Sequence, residues 1–71
     1  MARESNMQIM LNGKQENSDA RSIEQMVLQK GLKPDALVVE YNHAVIPQDQ
    51  WGQIALKEGD KLELLSFVGG G

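Results

Sequence analysis

Apolar residues occupy alternate positions at the start of the first stretch with a regular pattern, residues 7–16. In "MQIMLNGKQE", which spans residues 7–16, Met7, Ile9 and Leu11 share one side of an extended chain. Asn12-Gly13 comes next, and Asn-Gly between two extended runs is the strongest short signal of a hairpin, because both turn residues take positive φ. The pattern therefore predicts a β-hairpin over residues 7–16.

A helical period replaces the alternation in "SIEQMVLQKGL", residues 22–32. The Ser22 hydroxyl can accept a hydrogen bond from an early N–H of a helix, and Gln25 three residues later completes a capping-box pattern. The helix then begins near Ile23. Its predicted apolar face, at 3.6-residue spacing, consists of Ile23, Met26, Val27 and the stem of Lys30, and Leu28 widens it.

The same segment predicts where the helix ends. Gly31 can adopt the left-handed conformation that follows the last helical residue, because it has no Cβ. Leu32 beyond it can pack back on Val27, as in a Schellman motif. This is the only long helix that the pattern predicts.

Strand-forming residues dominate the second half of the chain. "KPDA" (33–36) predicts a loop and "LVVEY" (37–41) a buried strand. Asn42-His43 predicts a tight turn, after which "AVIP" (44–47) resumes strand character until Pro47 ends it. One helical turn is expected around Asp49 to Trp51, a turn at "KEGD" (57–60) and a final strand at "KLELLSFV" (61–68). The order β, β, α, β, β, β predicts an α+β fold, a mixed sheet of four to five strands with one main helix packed on one face.

The final strand has two faces of different character. Leu62 and Leu64 are expected to point toward the helix, which places Leu65 and Phe67 on the face that a single helix does not cover. They would then form a small exposed apolar patch. The alternative is that a β-bulge or the edge of the core absorbs them, since scattered surface apolar residues are normal.

Length and composition limit the possible functions. A chain of 71 residues without cysteine fits one domain with no disulfide, no thiolate nucleophile and no thiol metal site. The net charge of −3 and the scattered basic residues argue against nucleic acid as a partner, and no apolar run is long enough for a membrane span or a secretory signal. We expect a cytoplasmic protein with a disordered leader or expression remnant at 1–6, a domain at 7–68 and a flexible tail at 69–71.

The side chains predict no catalytic or metal site. His43 is the only histidine and is expected to be a solvated turn residue. Trp51 is expected to anchor the core or its edge. The acidic side chains of the second half lack metal-loop spacing and are expected to form a solvated face; they are Glu40, Glu58, Asp60 and Glu63.

The ending "FVGGG" is the feature with the most functional content. Gly69, Gly70 and Gly71 form a thin thread that can enter a narrow channel, which would put the Gly71 carboxylate into another enzyme's active site. Ordering the thread costs about 1–2 kcal/mol per residue, so the neighbouring surface must supply docking energy. We therefore expect partner contacts at Leu65, Phe67, Val68, Gly69 and Gly70. The alternative is a flexible end without a function.

Four stretches together resemble one family. "VVEYNHAVIP" followed by "QDQW", "LKEGDKLELL" and above all "SFVGGG" resemble the thiamine-biosynthesis sulfur carrier protein (ThiS) family, which has the ubiquitin-like β-grasp fold. The resemblance covers residues 7–71. The glycine ending is shared by all ubiquitin-like carriers and modifiers, and the other stretches are more specific. Relatives commonly have glycine where this chain has His43, a departure that concerns the turn and not the chemistry.

The resemblance implies a protein co-substrate, not an enzyme. The Gly71 carboxylate would be adenylated by an ATP-dependent, E1-like adenylyltransferase and converted to a thiocarboxylate with sulfur from a sulfur-donating enzyme. Thiazole synthase would then receive the sulfur. The carrier itself would bind no cofactor, and ATP and Mg would be used by the activating partner.

Two other classes of function remain open at this point. The chain could be the small subunit of molybdopterin synthase or a ubiquitin-like modifier joined to lysines through Gly71. It could also be a non-catalytic β-grasp interaction module with an incidental tail. The fate of Gly71 distinguishes the carrier from the modifier, and deleting Gly70 and Gly71 would leave only the interaction module functional.

Overall fold

A computed structural model describes residues 7–67 of the chain. The predicted leader at 1–6 and the tail at 69–71 lie outside the described residues, as does Val68. The strands are β1 (Met7–Leu11), β2 (Lys14–Ser18), β3 (Leu37–Tyr41), β4 (Ala44–Val45) and β5 (Lys61–Ser66). The helix α1 spans Ile23–Gln29, and two 3-10 helices span Pro34–Ala36 and Gln48–Gln53.

The five strands form one mixed sheet in the order β2-β1-β5-β3-β4. β1 and β5 run parallel, with Met10 opposite Lys61 and Leu11 opposite Leu62. The other neighbouring strands are antiparallel. The last strand in sequence therefore lies at the centre of the sheet, and the expected α+β architecture is confirmed.

One hydrophobic core holds the helix against the sheet. Its members are the buried residues of the strands, α1 and the loops: Ile9, Leu11, Ala20, Ile23, Met26, Val27, Leu37, Val39, Trp51, Leu56, Leu62 and Leu64. Burying one such aliphatic side chain stabilises the fold by about 1.5–3 kcal/mol. The predicted helical face is confirmed for Ile23, Met26 and Val27, but Leu28 is 61% exposed and does not widen the face.

Both ends of α1 form the predicted local structures. The Gln25 N–H donates to Ser22 Oγ at 3.1 Å, as an N-cap requires. The Gln25 side chain, however, accepts from the N–H of Arg21 at 2.6 Å, one residue before the donor expected in a capping box. At the other end, the bonds Leu32 N–H to Val27 O (3.3 Å) and Gly31 N–H to Leu28 O (3.0 Å) complete a Schellman motif.

Both predicted tight turns are present. Asn12 and Gly13 have φ of 52° and 82°, and Asn42 and His43 have φ of 50° and 76°. The first hairpin is longer than predicted, because β2 continues to Ser18. The strand predicted to reach Pro47 ends earlier, since β4 contains only Ala44–Val45 at the edge of the sheet.

The connecting segments contain more helix than the pattern predicts. The expected loop at 33–36 contains the 3-10 helix Pro34–Ala36, which begins at a proline. The helical turn expected at residues 49–51 is the centre of the longer 3-10 helix Gln48–Gln53. Trp51 is buried there and its Nε1–H donates to Ile46 O at 2.9 Å, which confirms the core-anchor prediction.

Asp60 is a buried structural carboxylate, and its predicted place on a solvated acidic face is wrong. Its side chain accepts hydrogen bonds from Tyr41 Oη (3.0 Å), Asn42 Nδ2 (3.3 Å) and the N–H of Lys57 (2.8 Å). It thereby joins the end of β3, the β3–β4 turn and the turn before β5. The Tyr41 hydroxyl and the negative charge of Asp60 raise the pKa of Lys57 above its ordinary value.

Replacing Asp60 with alanine is expected to destabilise the fold by about 2–4 kcal/mol, because three donors lose their acceptor and hydrogen bonds to charged groups are the strong ones. Urea denaturation would measure the loss. The matched control is Glu58→Ala in the same turn, where one exposed bond from the Gln8 N–H is lost. Equal stability losses in the two variants would contradict the assigned role of Asp60.

Candidate functional site

The sheet has an open face on the side opposite α1. By strand alternation this face carries Met10, Val38, Glu40, Val45, Lys61, Glu63 and Leu65, and Phe67 continues it beyond β5. Leu65 is 50% exposed and Phe67 57% exposed. The exposed patch predicted at these two residues is therefore confirmed, and the alternative that a bulge or the core edge absorbs them is excluded.

β5 is paired with β3 up to Ser66, three residues before the first glycine of the tail. Leu65 lies opposite Val38 and Ser66 opposite Leu37. The Phe67 N–H then donates to Ala36 O at 2.9 Å, so the backbone is held beside the sheet up to the last described residue. Gly69 follows two residues later. Val38, Leu65 and Phe67 are here called the apolar patch, and its last residue is two positions before Gly69 in the chain.

Two turn asparagines hold the backbone of β5 from opposite sides. Asn12 Oδ1 accepts from the Leu64 N–H at 2.8 Å, and Asn12 Nδ2 donates to Leu64 O at 3.4 Å. Asn42 Oδ1 accepts from the Lys61 N–H at 2.8 Å. β1 ends at Leu11, where the chain turns away from β5. The side-chain amide of Asn12 therefore pairs with the β5 backbone where a further residue of β1 would otherwise do so.

Sequence reasoning missed this role of the asparagines. It used Asn12 and Asn42 only as residues that tolerate positive φ, a property that glycine shares. The available signal was the choice of asparagine over glycine at the first position of both turns, since only asparagine has an amide that can pair with a neighbouring strand.

A hollow of about 520 Å³ lies elsewhere, between α1 and the 3-10 helix Gln48–Gln53. It is lined partly by Glu24, Leu28 and Asp49. None of the residues that line it is a cysteine, histidine, serine, threonine or lysine. Within residues 7–67 no three histidine or acidic side chains are grouped as metal ligands. The expected solvated position of His43 is confirmed by its exposure. The open face and the tail beyond it therefore remain the candidate site.

The sequence model of the ThiS family matches residues 4–71, nearly the whole chain and all three terminal glycines. The chain belongs to the ThiS family. This match agrees with the resemblance in the four sequence stretches, and the described fold can be compared directly with solved members.

Two solved structures of a ThiS thiamine biosynthesis protein from Geobacter metallireducens are similar to this ThiS family member. The crystal structure has a TM-score of 0.74 at 30% identity and is matched over 92% of this chain and all of the other. The solution structure has a TM-score of 0.77 at 26% identity, over 92% of this chain and 88% of the other. The ubiquitin-like β-grasp fold is thereby confirmed.

Two curated thiazole synthases contain a segment similar to this ThiS family chain. Thiazole synthases from Paramagnetospirillum magneticum and Magnetococcus marinus are 33% and 36% identical over 92% of this chain. The chain spans only about 20% of their length. A further relative, the uncharacterized protein ycf40 of Trieres chinensis, is 40% identical over 49% of this chain. No helix in the described part of the ThiS chain is long and apolar enough to cross a membrane.

Replacing Asn12 with glycine is expected to loosen β5 without disturbing the turn, because glycine accepts the same positive φ but has no amide. The protection of the Leu64 amide from hydrogen exchange should fall about tenfold, which corresponds to one hydrogen bond of about 1.4 kcal/mol. Asn12→Asp is the matched control, since it keeps the accepting oxygen. Unchanged protection of Leu64 in Asn12→Gly would show that the amide does not hold this strand.

Proposed function

We propose that this ThiS family member is the sulfur carrier of thiazole formation in thiamine biosynthesis. The observation that carries the proposal is the family match that extends to Gly71. The similarity to the Geobacter metallireducens thiamine biosynthesis protein and to two thiazole synthases supports the thiamine branch over the pterin and modifier alternatives. On this proposal the protein is a cytoplasmic co-substrate acted on by enzymes.

The reaction begins with activation of the carboxylate. A carboxylate is a poor acyl donor, because its leaving group would be oxide. An oxygen of the Gly71 carboxylate attacks the α-phosphorus of ATP, pyrophosphate leaves, and an acyl adenylate forms on the activating adenylyltransferase. Hydrosulfide (HS⁻) from a sulfur-donating enzyme then attacks the acyl carbon, AMP leaves, and the terminus becomes a thiocarboxylate that thiazole synthase consumes.

The folded domain contributes position and docking energy. Holding the tail in an extended conformation costs about 1–2 kcal/mol per residue, which the glycines themselves cannot recover by burial. The apolar patch ends two positions before Gly69 in the chain and exposes two large apolar side chains. Burying a half-exposed leucine and a half-exposed phenylalanine against a partner is worth a few kcal/mol, about the cost of ordering two or three tail residues.

No resident cofactor is part of the proposal. ATP and Mg belong to the activating partner, where the metal would neutralise the phosphates during adenylation. The carrier's own contribution is its main-chain terminus. A chain without cysteine can carry reactive sulfur in this way.

The first test is intact-protein mass spectrometry after incubation with ATP, Mg, the adenylyltransferase of the same cell and a sulfur source. We expect a mass gain equal to exchanging one oxygen for sulfur, located in the C-terminal peptide. The chain lacking Gly71 is the control and should show no gain.

Three other results would each contradict the proposal and favour a different function. A thiocarboxylate consumed by molybdopterin synthase and not by thiazole synthase would move the protein to the pterin branch. Isopeptide-linked conjugates of Gly71 would make it a modifier. No gain, with the adenylyltransferase shown active on another carrier, would leave a β-grasp interaction module.

The apolar patch is tested by Phe67→Ala. We expect kcat/KM for adenylation to fall about tenfold, since truncating an anchoring aromatic side chain costs more than about 1 kcal/mol of binding. The free energy of unfolding should change by less than about 0.5 kcal/mol, because Phe67 is outside the core. Leu28→Ala is the matched control, an equally exposed apolar residue on the helix side. Wild-type adenylation by a folded Phe67→Ala protein would exclude the patch from docking.

A further inference from the structure

The sheet has an open outer edge at β2. This strand is the first in the order β2-β1-β5-β3-β4, so within residues 7–67 no strand lies on its outer side. Lys14, Gln15 and Asn17 are exposed, and Glu16 is half-buried. The strand contains no proline, and its residues pair one to one with β1 without a bulge. A regular, uncovered edge of this kind is a template for a further strand.

The backbone groups that point outward from β2 belong to Gln15 and Asn17. The Met10 N–H donates to Asp60 O at 2.9 Å, on the side of β5, so it does not bond to β2. Met10 and its partner Gln15 are therefore a non-hydrogen-bonded pair of the antiparallel ladder, and so is the pair Gln8 and Asn17 two residues away. In such pairs the N–H and C=O groups face away from the partner strand. Those of Gln15 and Asn17 thus face the open edge.

The charges on this edge are complementary to those of a second copy. Lys14 and Glu16 flank Gln15, and both lie on the helix side of the sheet, because their partners on β1 are the core residues Leu11 and Ile9. When two β2 strands pair antiparallel with Gln15 opposite Gln15, each Lys14 lies opposite the Glu16 of the other copy. Opposite charges at such positions stabilise a strand pair. The same register lets the two Gln15 backbones exchange hydrogen bonds.

Glu16 already has one cationic partner and has capacity for a second. Its Oε2 accepts a hydrogen bond from Lys30 Nζ of α1, and its side chain is 35% exposed. A carboxylate has about four lone-pair sites on two oxygens, so it can accept from two ammonium groups. Lys14, in contrast, takes part in neither of the ion pairs described within residues 7–67. A second copy would supply the carboxylate that this part of its own chain does not.

Other registers of the same edge bring like charges together. An antiparallel pair centred on Glu16 puts the two Glu16 carboxylates directly opposite each other. A parallel pair in register puts Lys14 beside Lys14 and Glu16 beside Glu16. Like charges at directly opposed positions are destabilising. Charged residues on edge strands usually prevent pairing with another chain, but the order Lys14-Gln15-Glu16 favours the antiparallel register centred on Gln15 over these two.

We propose that the chain self-associates through β2, as a two-fold symmetric dimer in which the two sheets join edge to edge. Opposed residues of an antiparallel pair project to the same side, so both helices lie on one side of the joined sheet and both open faces on the other. The inference is independent of the proposed function. β1 separates β2 from β5, so the contact leaves the apolar patch of each copy uncovered.

The dimer is expected to be weak. Only the edge of one five-residue strand from each copy takes part, so the buried area is well below the roughly 1,600 Å² of a standard protein interface. We expect a Kd on the order of 0.1–1 mM. Self-association would then be visible only at high concentration.

Sedimentation equilibrium of the full chain at up to about 1 mM, near the expected Kd, tests the proposal. We expect a monomer–dimer equilibrium that weakens with added salt, because exposed ion pairs are screened. Lys14→Glu puts like charges opposite each other and should weaken the dimer about tenfold. The matched control is Lys33→Glu, which makes the same change of charge at an exposed residue outside β2 and α1 and should dimerise like wild type.

Mixing two charge variants gives a second test. Lys14→Glu has two acids and Glu16→Lys two bases at the paired positions, so each variant alone should stay monomeric. An equimolar mixture should form heterodimers, because opposite charges then face each other at both positions. Glu16→Lys also removes the ion pair with Lys30, so the unfolding midpoint of each variant is measured first. A mixture of two folded variants that stays monomeric would overturn the proposal.

Single cysteines test the register, since the chain has no cysteine of its own. Two Gln15 Cα atoms in a bonded antiparallel pair would be about 5.5 Å apart, which suits a disulfide. Gln15→Cys should therefore form linked dimers faster than Ala44→Cys, an exposed position on β4 at the other edge. Equal linking rates would overturn the proposal, as would a wild-type chain that stays monomeric at about 1 mM. A salt-independent dimer that Phe67→Ala abolishes would also overturn it and assign the contact to the apolar patch.

Discussion

The position of β5 between β1 and β3 is the constraint on which the rest of the structure depends. β5 is the last strand in sequence, and it pairs with the first strand in parallel and with the third antiparallel. Its inward side chains, Leu62 and Leu64, are buried in the core beneath α1. The same strand precedes the glycine tail, which on the proposed function would enter a partner enzyme.

The two faces of β5 have different roles. Its inward residues stabilise the domain, and its outward residues Glu63 and Leu65 face the side that α1 does not cover. The two sets do not compete, since a change on the open face leaves the core packing in place. The turn asparagines and the Asp60 carboxylate also stabilise the domain, because they form hydrogen bonds with the backbone of β5 and with the turn before it.

Much of the fold could be predicted from local patterns. Asn12-Gly13 and the Ser22 to Gly31 segment specify a hairpin and a capped helix through contacts between near neighbours in sequence, and both are present. The failures involve long-range contacts. Leu28 fits a helical stripe but lies beyond the width of the core, and Asp60 looks like a surface acid until β3 and its turn bring Tyr41 and Asn42 to it. The end of β2 and the shortness of β4 likewise depend on which strands are available as neighbours.

The sequence by itself determined the main elements, their order and the family, because turn chemistry, capping and the "FVGGG" ending are local features of the chain. It also carries the glycine ending on which the proposed function rests. The tertiary structure alone decided that no bulge or core edge covers Leu65 and Phe67, and that Glu40 and Glu63 are opposite each other. The physical reason is that strand register and the coverage of a sheet face arise from the packing of segments far apart in the chain, and no local pattern contains that information.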